Sequence, residues 1–300
     1  MAHPQVEQRL RWQSKAILLL VIPWTAVSVL LQGHWWATQA PVVAIETLSI
    51  SAIFGLIVWK LRAATPGGAA TGALITASLM FSTARYPYAA SWYHSALIPL
   101  LLLFLLTWAS TRAGRARKAA LGTAEARHGR SASQVAANLG AAALVLTVGS
   151  ILFGDDAGSS LPAFLALACL AEAAADTVSS ELGQLLGRNP RSILTFRRVE
   201  PGTDGGVTLA GTLAGATAAF LVSASGLWAA HAERSIFPVA LLAAVVTAAA
   251  VSGLLFDSVL GASLERKGWL NNDAVNFLST LSALAAGFLI LAHLVARIRL

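Results

Sequence analysis

The sequence predicts an all-α fold, a polytopic bundle of about nine transmembrane helices that forms a single membrane domain across residues 1–300. Three observations carry this expectation. Of the 300 residues 56% are hydrophobic and 12% charged, about half the charged fraction of a soluble domain, and the mean hydropathy is +0.68. The apolar residues gather into runs of about twenty, the length that crosses the hydrocarbon core as a helix. The runs are continuous and rich in Ala and Leu rather than alternating, which disfavours strands.

The runs are 16–32, 41–59, 66–84, 93–111, 134–153, 161–183, 205–229, 237–257 and 276–296. The first is expected to stay in place as a helix, because His34-Trp35-Trp36 follows it instead of a small-residue cleavage site. The second carries Glu46, and the third and fourth are joined by a short loop. The fifth opens on Gln134 and Asn138, and the sixth holds Glu172 and Asp176. The seventh follows Pro201-Gly202 and Gly205-Gly206 and contains Gly211 and Gly215, a spacing that lets helices pack closely. The eighth ends on Asp257, and the ninth opens with Asn272 and Asn276.

The basic residues orient the bundle. With the N-terminus inside, all of the 21 lysines and arginines except Arg85, Arg234, Arg297 and Arg299 fall in inside segments, which supports N-in, C-out topology. The loop GDDAGSS, placed outside, has none. Trp35, Trp36, Trp92 and Trp228 fall at one boundary, and Trp12, Trp59, Trp108 and Trp269 at the other, as an interfacial belt does. In this frame Gln134, Asn138, Asp176, Glu181, Asp257, Asn272 and Asn276 share the cytoplasmic side, while Glu46 lies on the outer half. The expected location is a bacterial inner membrane with the site facing the cytoplasm.

Other classes fall away. The net charge of +7 suits anionic partners, although basic loops arise for topological reasons anyway, and no aromatic-rich polar domain suggests nucleic acid. Cys169 is single and mid-helix, a small core residue. His3, His34, His94, His128, His231 and His293 lack ligand spacing for zinc, and no histidine lies in the acidic layer to serve a Ser–His–Asp triad.

Four patterns can carry chemistry. In AEAAADTVSSELG, at roughly 100° per residue, Glu172, Asp176, Ser179, Ser180 and Gly183 share a face and Glu181 is turned away. Carboxylates one turn apart suit Mg²⁺, which takes one or two of them plus substrate phosphates; pairing with arginines is the plainer alternative. Carboxylates inside a bilayer helix cost about 2.5–3.5 kcal/mol on insertion scales, so they are paired or functional. In RRVEPGTDGGVTLAG a glycine turn with Arg198 before it feeds a helix N-terminus, where free N–H groups favour phosphate; a packing turn would look similar. In TRAGRARKAALGTAEARHGRSASQ, Lys118 and Arg130 could hold phosphate oxygens, although topology alone also produces basic loops. Gln134 with Asn138, and Asn272 with Asn276, need polar partners.

Together STRAGRARK, QVAANLG, AAADTVSSELG, PGTDGGVTLAG, LLFDSVLGAS and NNDAVNF resemble the polytopic membrane family that includes the plant and cyanobacterial phytyl-phosphate kinases, over about 65–280. That family shows Thr-Lys-x-Gly, Gln-Val-x-Ala-Asn, Ala-Asp-Thr-x-x-Ser-Glu-x-Gly, Gly-Thr-x-Gly-Gly-Val-Ser and Asp-Ser-x-Leu-Gly-Ala. Matched position by position, the resemblance implies roles for Gln134, Asn138, Asp176, Ser180, Glu181, Gly183, Gly202, Thr203, Gly205, Gly206, Asp257, Ser258 and Asn276. Arg112 departs from the family lysine after Thr111, and Thr208 from the serine after the paired glycines.

The expectation is a membrane phosphotransferase that converts a prenyl monophosphate to the diphosphate with a nucleoside triphosphate, CTP being the candidate, and Mg²⁺. Asp176, Glu181 and Asp257 are the expected metal ligands, with Asn138 beside them. Gly202, Thr203, Gly205, Gly206, Lys118, Arg130, Arg198, Gln134, Ser180 and Asn276 are expected to bind phosphate or nucleotide. Membrane lipids surround the chain, and an oligomer is compatible with it. The alternatives are an ion-coupled transporter or lipid translocator, since intramembrane acids also mark ion paths, and a non-catalytic assembly factor.

Overall fold

In a computed structural model the chain is a helical bundle, described over residues 4–84, 92–120, 129–153, 160–187, 189–230, 235 and 237–298. The loop 154–159 and Arg85, Arg127, Arg188, Arg234 and Arg299, used in the topology argument, lie outside the described residues, as do His3, His128 and His231. The long helices are α1 (Pro4–Gln39), α2 (Pro41–Lys60), α3 (Pro66–Thr83), α4 (Leu97–Arg112), α6 (Ala132–Phe153), α7 (Ser160–Leu186), α8 (Leu209–Ala229), α9 (Val239–Leu260) and α10 (Asn272–Ile298). A short α5 (Arg115–Ala120) lies between α4 and α6. Each apolar run thus became a helix. Seven of the described helices are long and apolar enough to cross a membrane, α3 and α4 being the long ones outside that set.

α3 departs from the membrane-facing pattern because it is interior. Ile75, Thr76, Ala77, Ser78, Leu79, Met80 and Phe81 are buried in succession, so lipid does not dictate its composition. α7 is the axis of the bundle and packs on α4, α6, α8, α9 and α10. Its small residues make this possible: Ala166, Ala168, Cys169, Ala171, Ala173, Ala174 and Ala175 are all buried. Bilayer helices associate through such small surfaces, because lipid leaves no hydrophobic force between them. α8 approaches α7 through the two glycines read as a packing pair. A Cβ on Gly215 would meet the Ala175 carbonyl oxygen at 2.7 Å, and one on Gly211 the Ser179 carbonyl oxygen at the same distance.

Helix ends place the site. Thr208, not Gly205, begins α8; its hydroxyl accepts from Gly211 N at 3.1 Å as an N-cap. The segment before it contains an unexpected two-residue ladder, β1 (Arg191–Ser192) antiparallel to β2 (Gly206–Val207). α9 continues past Asp257 into a π-helical turn, Gly261–Glu265. The start of α1 is latched to the segment before α10: Gln13 donates to the Trp269 carbonyl at 2.8 Å and accepts from Asn271 N at 2.8 Å. Asn271 then caps α10 by accepting from Ala274 N, which fixes where Asn272 and Asn276 begin.

Candidate functional site

A polar cavity of about 350 Å³ opens where α6, α8 and α10 begin and α7 and α9 end. Antiparallel neighbours bring these ends together, so residues far apart in sequence meet there. Asn138 and Gln134 come from α6, Asp176, Ser180 and Glu181 from α7, and Asp257 from α9. Asn276 comes from α10, and Gly202, Thr203, Gly205 and Gly206 from the segment ahead of α8. Arg130 completes the wall.

Arg130 is set by its backbone. Its N–H donates to the Ala63 carbonyl and its own carbonyl accepts from Thr65 N, both at 3.0 Å, strapping 129–131 onto the α2–α3 turn. Gly129 makes that approach possible: it has φ of +73° and a Cβ there would lie 2.6 Å from Ala63 O. The guanidinium then reaches Thr177 Oγ1 on α7 at 3.1 Å and acts electrostatically on Asp176.

The carboxylates share one field. The Asp257 carboxyl is buried and lies within electrostatic reach of Asp176, Glu172 and Glu265, and Glu265, also largely buried, lies within reach of Asp204 and Asp176. Asp257 Oδ1 and Gln184 Oε1 are buried without hydrogen-bond partners, and both residues line the cavity. An orphaned buried acceptor is costly, and oxygen acceptors of this kind are what a hard divalent cation takes. Among the described residues no three carboxylate, imidazole or thiol groups form a ready-made metal cage. Buried oxygen acceptors of this kind fit an ion held by one or two carboxylates and a phosphate, which is the habit of Mg²⁺.

Four expected residues carry other contacts. Lys118 lies outside the cavity wall: α5 folds back and buries it to 1% exposure, with Nζ 2.5 Å from Glu181 Oε2 and 2.7 Å from the Ser110 carbonyl. Glu181 lines the cavity, but that oxygen is committed to the lysine. Arg198 is exposed beside the ladder and is absent from the wall. Gln134 reaches the cavity while its Oε1 accepts from Ser131 N at 2.8 Å and Ser131 Oγ accepts from Gln134 N at 3.2 Å, a capping box that starts α6.

The glycine pair also divides. Gly205 has φ of +69°, and a Cβ there would sit 2.5 Å from the Ser258 carbonyl and 2.6 Å from Ala262 N, so its bare Cα serves close packing on α9. Gly206 would meet Thr203 O at 2.9 Å, inside its own turn. Glu172 is 1% exposed and stands behind the cavity against Gly253 and Ser279. Glu46 is outside the wall.

Sequence reasoning missed Glu265 and Gln184. Glu265 lies eight residues after Asp257, the i+8 spacing of one helix face, and was legible once α9 was allowed to continue. Gln184 lies two turns after Asp176 on the same principle.

The family model described as integral membrane protein DUF92 matches residues 49–284. An uncharacterized membrane protein of Methanocaldococcus jannaschii is 43% identical over 124 residues, 41% of this chain and 49% of the relative. Protein VTE6, chloroplastic, of Arabidopsis thaliana is 34% identical over 180 residues, 59% of this chain and 52% of the relative. Protein PGR of the same plant is 32% identical over 221 residues, 61% of this chain and 77% of the relative. The chain thus spans about half the length of the first two. No solved structure matches it.

Proposed function

We infer that this chain, which belongs to the DUF92 family of integral membrane proteins, is an isoprenoid-phosphate kinase. One observation carries the reading. Five carboxylates (Asp176, Glu181, Asp204, Asp257 and Glu265), Arg130 and the amides of Asn138, Asn272 and Asn276 converge with a glycine-rich turn on one polar cavity at one end of an otherwise apolar bundle. A transporter would place such groups near the midplane.

In the reaction, an oxygen of the prenyl monophosphate forms a bond to the terminal phosphorus of a nucleoside triphosphate. The bond from that phosphorus to the bridging oxygen breaks, giving a prenyl diphosphate and a nucleoside diphosphate. The acceptor is already an anion, so no side chain need remove a proton. Phosphoryl transfer then asks the protein mainly to position groups and balance charge. Asp176 and Asp257 would hold Mg²⁺, which when bound neutralises the phosphates. Arg130, held rigidly on Thr177, balances charge from the facing wall, and its planar fork suits phosphate. Asn138 donates to Gln134 O at 2.8 Å, which leaves its carbonyl and second N–H for the ligand. Gly202 and Thr203 line the turn where backbone N–H groups can meet phosphate oxygens.

The site is assigned to the cytoplasmic face of the inner membrane, where nucleotide is available, on the basic bias of the loops. The purified full chain in detergent, given prenyl monophosphates of several lengths with each nucleoside triphosphate and Mg²⁺, should make the prenyl diphosphate. Absence of product with every pair, from folded protein, would reject the reading.

A further inference from the structure

A second cavity, about 570 Å³, lies between α2, α3, α4 and α6, within the ~300–1,000 Å³ of small-molecule sites. It shares Arg130 and Asn138 with the polar cavity, so the two chambers meet at those side chains. Its deep part is apolar, with Phe54, Leu100, Phe104 and Leu139, and Phe54 packs edge-to-face on Phe104 at 5.3 Å. Its other end is cationic. Arg62 and Arg115 line it, and Arg112 is fixed there by a bond to the Leu61 carbonyl at 2.6 Å and by stacking on Trp108. The Trp108 indole N–H is buried without an acceptor.

We propose that this groove seats the isoprenoid chain of the acceptor, with the monophosphate at the Arg130–Asn138 junction and the chain running inward toward Phe54 and Phe104. The assignment rests on the kinase reading for the reaction, and on this geometry for the place. A single-chain amphiphile with one anionic end matches the graded lining. The arginines answer the phosphate, the apolar depth answers the chain, and the shared residues place the phosphate beside the polar chamber. A phosphodiester phospholipid, the competing occupant of a membrane groove, brings two chains and no terminal phosphate.

Gly72 gives a clean test. It lines the groove, and the nearest described atom to a Cβ there, outside its own turn, is Val135 Cγ1 at 3.9 Å. A Cβ there therefore meets no backbone of another element, and replacing a helical glycine favours the helix; melting of Gly72→Phe beside the parent checks that the larger ring leaves the fold intact. Gly72→Phe should lower the ratio of 20-carbon to 5-carbon monophosphate turnover by on the order of 100-fold, the loss expected when about three or four methylene groups lose their seat.

The second measurement does not need turnover. A prenyl monophosphate carrying a diazirine in its chain, added to the full chain in detergent, should crosslink to α3, α4 and α6 around Gly72, Phe104 and Leu139. Unlabelled prenyl monophosphate should compete, and phosphatidylglycerol should not. Crosslinking there without phosphoryl transfer would reject the kinase and keep the groove. Transfer with crosslinks elsewhere, competition by phospholipid, or a Gly72→Phe effect equal at every chain length would reject the groove.

Discussion

Replacing Lys118 by methionine separates two roles that the sequence leaves equivalent. A lysine in a basic loop can grip phosphate, yet here it is 1% exposed and its ammonium lies 2.5 Å from Glu181, whose side chain is 13% exposed. Methionine keeps the unbranched apolar stem, one atom shorter, and removes the charge. Taking one partner from a buried pair leaves an uncompensated ion and costs about 3–5 kcal/mol. Glu181's residual exposure allows some solvation, which places the loss near about 3 kcal/mol. The Ser110 carbonyl, which also accepts from this ammonium, adds roughly 1 kcal/mol as an unsatisfied acceptor. The double change Lys118→Met with Glu181→Leu removes both ions and should recover most of the loss. Thermal unfolding of Lys118→Met, Glu181→Leu and the double variant in detergent reads the cycle, and nucleotide KM is measured beside it. A Lys118→Met variant that unfolds at the parent temperature but binds nucleotide much more weakly would refute the ion pair and make the lysine a phosphate ligand.

Three other outcomes follow. Gly205→Ala, with a positive φ and no room beside Ser258 and Ala262, should lower folded yield in detergent more than it raises KM; normal yield with lost binding would make it a phosphate contact. Gln134→Ala breaks the capping box of α6 and should cost about 1 kcal/mol of stability, read in the same melts; an unchanged melting temperature would remove that role. Single cysteines in 189–204, introduced with Cys169 replaced, should label only from the cytoplasmic side; labelling from the other side would overturn the orientation.

The bundle was legible because bilayer solvation writes itself into sequence. Runs of about twenty apolar residues have few fates, and all nine became helices. The expected cavity wall was legible for a related reason. Asp176, Asp257, Asn138 and Asn276 are costly beside lipid, so they turned to one polar space. Helix ends were less legible, since they depend on caps rather than hydropathy. Thr208 and not Gly205 starts α8, and α9 runs beyond Asp257 to bring Glu265 into reach. The basic residues were the least legible. Lys118 and Arg130 come from one loop, yet a six-residue helix turns one onto Glu181 while a strap to Ala63 sends the other into the cavity. Nothing in local composition distinguishes them.

In the proposed reaction the carboxylates of the polar cavity would support Mg²⁺-dependent phosphoryl transfer to a prenyl monophosphate. The direct measurement is transfer of a radiolabelled terminal phosphate from nucleoside triphosphate to prenyl monophosphate, comparing the parent with Asp176→Asn at matched folded yield. The amide keeps size and hydrogen bonding and removes the charge. Labelled prenyl diphosphate is expected from the parent only with Mg²⁺, with a drop of at least about 100-fold for Asp176→Asn, the scale of losing one preorganised electrostatic group. Equal transfer by the two proteins, or transfer independent of Mg²⁺, would contradict the proposed reaction.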